Sequence, residues 1–255
     1  ISIKAQKDYY FESCQKVVLV KPGIGRFLIS KNEISYDRDL GLNDSGFIKF
    51  LLNACMAYLL FLNEYLVLHG SCVEKDGNIN IFLGKSTSGK SSTAYRLAER
   101  HGFKVVTDDL LAIKFHDEIE ILPSYQWIKL DSKYYTPPST ELTDGKFDTN
   151  NRKIYPLPIK YVFNKDKPLI LRNIFFLEWC KSNEIEELDE ITSFKELFKH
   201  TFRCLLLKET KSFEKLILHN TTTLLNHSKQ YKYKRSVSGD ILSRQLINKI
   251  DIKNV

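Results

Sequence analysis

Short apolar runs over residues 17–20 and 26–29 lie either side of the polar and glycine-bearing turn Lys21-Pro22-Gly23-Ile24-Gly25. This predicts a small antiparallel meander over residues 9–36. Asn43-Asp44-Ser45-Gly46 offers caps for a long helix over residues 47–63 that is apolar on most faces. Residues 66–74 and 80–83 are near-continuous apolar runs, the pattern of buried strands, and Lys75-Asp76-Gly77-Asn78 is the hairpin turn between them. A glycine-bounded loop and a helix over residues 90–100 follow. The run Phe103-Lys104-Val105-Val106-Thr107 predicts a strand that ends in Asp108-Asp109, and residues 110–115 and 119–122 predict a further hairpin.

Beyond this point the pattern weakens. Residues 123–158 hold five of the seven prolines, and a segment of that length predicts functional loops rather than a plain connection. Residues 158–163 and 170–177 predict strands, the second one buried. Helices are predicted over residues 192–208, 212–228 and 239–250, with Tyr231-Lys232-Tyr233-Lys234-Arg235 between the last two as an exposed strand.

At 255 residues the chain suits one large domain with a small appendage and needs no staples to bury a core. Its organisation is expected as a β-rich N-terminal subdomain over residues 1–45 and a larger domain over 46–255, with a core at 66–180 and a helical part at 190–255. The five cysteines (Cys14, Cys55, Cys72, Cys180, Cys204) match no zinc or redox spacing, as in a reducing cytoplasm. The most apolar stretch, residues 51–68, is interrupted by Asn53, Asn63 and Glu64, so no membrane span is expected. No cationic signal segment is recognisable, and a cytoplasmic protein is expected. Charge changes the picture more. Residues 1–145 carry 17 Lys/Arg and 18 Asp/Glu, a net −1, while residues 146–255 carry 21 and 13, a net +8. Ten of the eleven glycines lie at or before Gly145, so the tight turns sit in the near-neutral half.

Those glycines frame the strongest signal. Gly84-Lys85-Ser86-Thr87-Ser88-Gly89-Lys90-Ser91 matches G-x-x-x-x-G-K-[ST], after an apolar strand and before a helix. Such a loop lets successive backbone N–H groups face a phosphate chain at the positive end of a helix. Lys90 is expected to reach the β- and γ-phosphates and the Ser91 hydroxyl to bind Mg²⁺. The nucleotide-binding set is therefore Gly84, Lys85, Ser86, Thr87, Ser88, Gly89, Lys90, Ser91 and Ser92, with Lys85 and Ser86 as solvent-facing filler. Asp108 and Asp109, 18 and 19 residues beyond Lys90, are expected at the end of a strand lying parallel beside the phosphate-loop strand. Two adjacent carboxylates can divide labour between a metal and the proton of an attacking hydroxyl. His69 sits among apolar residues, where a structural role is the commoner one. His101, His116, His200, His219 and His227 form no metal-ligand spacing and are taken as structural or exposed.

Leu68-His69-Gly70, the hairpin into Gly84–Ser91 and the close-following Val105-Val106-Thr107-Asp108-Asp109 together resemble the catalytic domain of bacterial HPr kinase/phosphorylase. They also resemble its wider set of relatives, whose core is similar to phosphoenolpyruvate carboxykinase. The resemblance covers residues 66–122. It implies an α/β fold, a P-loop kinase core with a mixed sheet, a small N-terminal β-rich appendage and C-terminal helices. It further implies an ATP- and Mg²⁺-dependent kinase acting on a hydroxyl, with Asp108 as general base, Asp109 and Ser91 at the metal, and His69 by the transferred phosphoryl. Arg152 and Lys153, in the stretch from Gly145 to Pro156, would add charge near the nucleotide. Ser92 stands where HPr kinases have Glu, and their later arginine-bearing, glycine-rich signature has no counterpart here. The resemblance therefore implies no phosphorylase activity and an acceptor other than HPr: a Ser or Thr of a peptide or protein, an acidic one suiting the basic half, or a small-molecule alcohol such as an amino acid or sugar. It allows a homo-oligomer.

Two other classes stay open on the residues alone. An ATPase or nucleotide switch needs only the loop, although no guanine-reading Asn-Lys-x-Asp motif is present. A nucleic-acid-binding or nucleic-acid-modifying protein would use the basic half and the alternating aromatics and cations of residues 231–235.

Overall fold

The structure, a computed structural model, describes residues 9–13, 16–39, 44–116, 119–131, 146–147, 152–164, 168–202, 211–236 and 242–250. Strands β1 (Tyr9–Ser13), β2 (Lys16–Lys21), β3 (Gly25–Ile29) and β4 (Ile34–Arg38) form the expected meander, paired in chain order. Alternate residues of a strand share a face. Val17, Leu19, Phe27 and Ile29 use that face to join the core beneath the main sheet. Phe27 stacks on Phe47 at 5.7 Å between ring centres. The helix expected over 47–63 forms as α1 (Asp44–Phe50) and α2 (Met56–Leu62), with a π-helical turn at Leu51–Cys55 between them. Beside that turn the Asn53 side-chain amide donates to the Lys49 carbonyl at 3.0 Å.

β5 (Leu66–Lys75) and β6 (Asn78–Gly84) form the predicted hairpin, turning on Asp76 and Gly77 at φ 54° and 80°. Two left-handed residues match the twist of the flanking strands. The loop then enters α3 (Lys90–His101), and β7 (Lys104–Thr107), β8 (Leu110–Phe115) and β9 (Ile119–Leu122) follow as expected. Among the described residues the proline-rich stretch contains three strands: β10 (Trp127–Asp131), β11 (Lys146–Phe147) and β12 (Arg152–Pro156), a small antiparallel sheet with β12 in its centre. The strand expected over 158–163 does not form. Pro158 opens a single 3₁₀ turn at Ile159–Tyr161, in which the Tyr161 N–H donates to the Pro158 carbonyl at 2.8 Å.

β13 (Ile170–Cys180), β14 (Glu184–Glu187) and β15 (Lys229–Ser236) complete an eight-stranded mixed sheet ordered β14-β15-β13-β6-β5-β8-β9, with β7 also paired to β5. The chain is thus a mixed α/β protein. β15 corrects the expectation of an exposed strand: it lies inside the sheet, and Tyr231 and Tyr233 are buried. Its alternation marks two faces of one strand, aromatic toward the core and lysine toward solvent-side glutamates, which leaves the nucleic-acid reading without its stacking platform. One sheet face is covered by α2, by α4 (Glu190–His200), capped by the Asp189 carboxylate, and by α5 (Lys211–Asn226). The other is covered by α3, the small sheet and α6 (Arg244–Ile250). The predicted 192–208 helix ends at His200, because Thr201 turns extended and bridges to Leu68; residues 203–210 lie outside the described residues. No helix among the described residues is long and apolar enough to cross a membrane.

Candidate functional site

β6, β13 and β15 run parallel, with Gly84, Leu177 and Tyr233 level with one another, so their C-terminal ends open on one edge of the sheet. The phosphate-loop sequence lies at that edge. A side chain at Gly84 would strike the Ser88 hydroxyl at 2.5 Å and the Leu177 carbonyl at 2.7 Å, so the loop closes only over glycine. Thr87 stands at φ 67°, an uncommon conformation for a β-branched residue that the surrounding contacts must hold. Trp179 helps hold it, its indole N–H donating to the Thr87 carbonyl at 3.0 Å. Lys85, Ser86 and Thr87 are exposed, Ser88 is buried, and Ser92 is half-buried on the first turn of α3. The Lys90 ammonium curls back into the loop, donating to the Gly84 and Lys85 carbonyls at 2.9 and 3.0 Å.

The Asp pair reaches the loop by a different route from the one expected. β7 pairs antiparallel with β5 rather than beside β6, so one strand separates the carboxylates' strand from the loop's. β5 serves both β7 and β8, and the turn between them carries Asp108 and Asp109 past Gly70 and Ser71. Asp109 is at φ 72°, which aspartate tolerates better than most residues and which sends the two carboxylates apart. The buried Asp108 Oδ1 accepts from the Ser71 hydroxyl at 2.6 Å and from the Ser91 hydroxyl at 2.8 Å, and its Oδ2 from the Lys129 backbone N–H at 3.2 Å. Asp109 instead pairs with the Lys129 ammonium and lies 3.9 Å from His69 Nδ1. Of the two carboxylates, the one that accepts from the Ser91 hydroxyl is Asp108, not the Asp109 expected beside it.

Burial and the neighbouring Asp109 raise the Asp108 carboxyl above its ordinary range, against the hydrogen bonds from Ser71 and Ser91. Burial would raise Asp109 as well, but Lys129, His69 and Lys90 together hold it below the usual carboxylate value. His69 is lowered by burial and by Lys90, with Asp109 opposing. The net effect favours the neutral imidazole. Its Nδ1 lies 3.1 Å from the Asp109 carbonyl, which can only accept, so Nδ1 carries a proton and donates to it; in the neutral ring Nε2 is then the acceptor nitrogen.

His69 stands at one end of a cavity of about 910 Å³ that runs along the loop to Trp179 and out to α4. Its far wall carries His200, Lys199 and Phe202. The His200 ring stacks on Phe176 at 6.0 Å, and burial with the positive Lys90 holds it down to about 4. Lys129 and His200 were not anticipated from the sequence. Lys129 is one residue of an ordinary strand, and nothing in its local pattern marks it. Lys153 is half-buried on β12, and the Arg152 side chain and Gly145 lie outside what the structure describes.

Ser91 and Asp108 offer adjacent hard oxygen donors, a set that suits Mg²⁺ when phosphate and water supply its other ligands. No cluster of three or more His, Cys, Asp or Glu residues forms a metal cage among the described residues. Fold and loop together define a mixed-sheet α/β protein in which a strand–loop–helix segment of phosphate-loop sequence faces an acidic turn. No protein-family model and no curated protein matches the chain. Among solved structures, the HPr(Ser) kinase/phosphatase from Coxiella burnetii is similar over 72% of this chain and 87% of its own, at 12% identity and a TM-score of 0.34. The functional reading rests on the site itself.

Proposed function

We propose that this protein is an ATP- and Mg²⁺-dependent phosphotransferase that moves the γ-phosphoryl group to a hydroxyl acceptor. The observation that carries this reading is the Ser91–Asp108 hydrogen bond, which joins the loop hydroxyl to a buried carboxylate, with Asp109 beside His69, a residue that lines the cavity. The loop amides and Lys90 would bind the phosphate chain. Ser91 and Asp108 would hold Mg²⁺, which supplies charge neutralisation for the transferred group. Asp109 would accept the acceptor's proton as its oxygen bonds to the γ-phosphorus and the bond to the β-phosphate oxygen breaks, releasing ADP. Lys129 orients Asp109. The depressed Asp109 carboxyl is a weak base, which suffices where the transition state is loose and positioning dominates.

The leading acceptor is a Ser or Thr of a peptide or protein, in keeping with the sequence resemblance, with no reverse phosphorylase activity. Incubation with γ-labelled ATP and fractionated host peptides and metabolites tests this. Label is expected on a hydroxyl acceptor; label on inorganic phosphate alone would favour a simple ATPase instead.

A further inference from the structure

Behind the phosphate loop lies a second cation. Arg235, on β15, is fully buried, and its guanidinium lies where a side chain on Gly89 would project, with Nη2 1.9 Å from that position. Nη1 donates to the Thr93 hydroxyl at 3.0 Å, and the guanidinium carbon lies 4.2 Å from the centre of the Trp179 ring. Nε and Nη2 have no hydrogen-bond partner among the described residues. The nearby glutamates are engaged elsewhere: Glu178 pairs with Lys232 and Glu184 with Lys234, both lysines on the opposite face of β15. Burial lowers this guanidinium to about 10, and Arg96 adds repulsion, yet it remains charged at neutral pH.

A buried charge with no counter-ion among the described residues is costly, and proteins retain one where something repays it. Here the loop in front of it is built to receive a polyanion. We propose that Arg235 is a positioning residue whose buried charge is balanced by the bound phosphate chain, so that it sets polyphosphate affinity from behind Gly89. Trp179 reports on it, being stacked on the guanidinium and bonded to the loop at Thr87 while also lining the cavity. This inference rests on the phosphate-site reading above and deepens it.

The test uses the full chain with tripolyphosphate and ATP as ligands, and compares wild type, Arg235→Met and Arg235→Lys. Arg235→Met should bind tripolyphosphate roughly tenfold more weakly, the order expected for one charge at protein-interior range. Its ligand-free melting temperature should not fall, because an uncompensated charge has been removed. Arg235→Lys should restore most of the affinity. Equal weakening in both variants, or unchanged binding in Arg235→Met, would overturn the proposal in favour of a shape-only role. Should Arg235→Met fail to fold, Trp179 emission in a Trp127→Phe background decides. It should change on tripolyphosphate saturation, and an unchanged spectrum with ligand bound removes the proposal. If wild type binds neither ligand, the phosphate-site reading fails and this inference falls with it; if wild type binds and only the Arg235 results disagree, the site reading stands.

Discussion

Ser91 Oγ and Asp108 Oδ1 are 2.8 Å apart, a bond from the first turn of α3 to the turn that follows β7. It ties the two chemical elements of the site together across an intervening strand, and it separates the roles of two neighbouring carboxylates. Asp108→Asn should weaken Mg²⁺-dependent nucleotide binding, raising the metal concentration needed for half-maximal activity about tenfold or more. Asp109→Asn should leave nucleotide affinity near wild type and lower kcat by about a hundredfold. Titration of metal and nucleotide in both variants checks the division; the reverse pattern would restore Asp108 as the base.

Lys129 holds the Asp109 carboxyl low, so its removal should be visible in pH dependence. In Lys129→Met the Asp109 carboxyl rises toward its ordinary value. Activity that needs ionised Asp109 would then be lost at a higher pH, and the acid limb of the rate profile should move upward. A limb that stays in place would show that another group controls it.

His200 is held neutral in the folded protein down to about pH 4, against an unfolded value near 6.5. The unfolded chain therefore binds the extra proton first. The stability contributed by neutral His200 is fully present above pH 6.5 and is lost as pH falls through 4. Denaturant midpoints measured over this range should fall less steeply in His200→Gln than in wild type.

Gly89 stands at φ 82°, and a methyl group there would meet Arg235 Nη2. Gly89→Ala should cost about 1–2 kcal/mol for the left-handed backbone alone, and more from displacing the guanidinium. In an Arg235→Met background the second contribution should shrink. A double-mutant cycle by thermal unfolding reads the coupling, and strict additivity would deny the contact.

The hairpin β5–β6, the loop, α3 and the β8–β9 hairpin were legible in the chain because each depends on neighbours in sequence: apolar runs of strand length, a two-residue turn and glycines at fixed spacing. So were the identities of Lys90, Ser91, Asp108, Asp109 and His69 as a group. The placement of β7 was not, since which strand it pairs with depends on β5 being long enough to serve two partners. The 158–163 segment looked extended because its apolar residues cluster, but Pro158 starts a turn and Tyr161 packs edge-on to Tyr95 at 5.9 Å.

The sequence by itself determined a phosphate-loop cradle between a strand and a helix, and an acidic turn shortly after it, because those are local properties of spacing and residue type. Only the tertiary structure decided that Ser91 belongs with Asp108, that Lys129 and His69 flank Asp109, and that a basic, aromatic run is a buried strand carrying Arg235 beneath the loop. Those relations join residues 17 to 146 positions apart. They are set by sheet order and by the left-handed turn at Asp109, which no local pattern encodes.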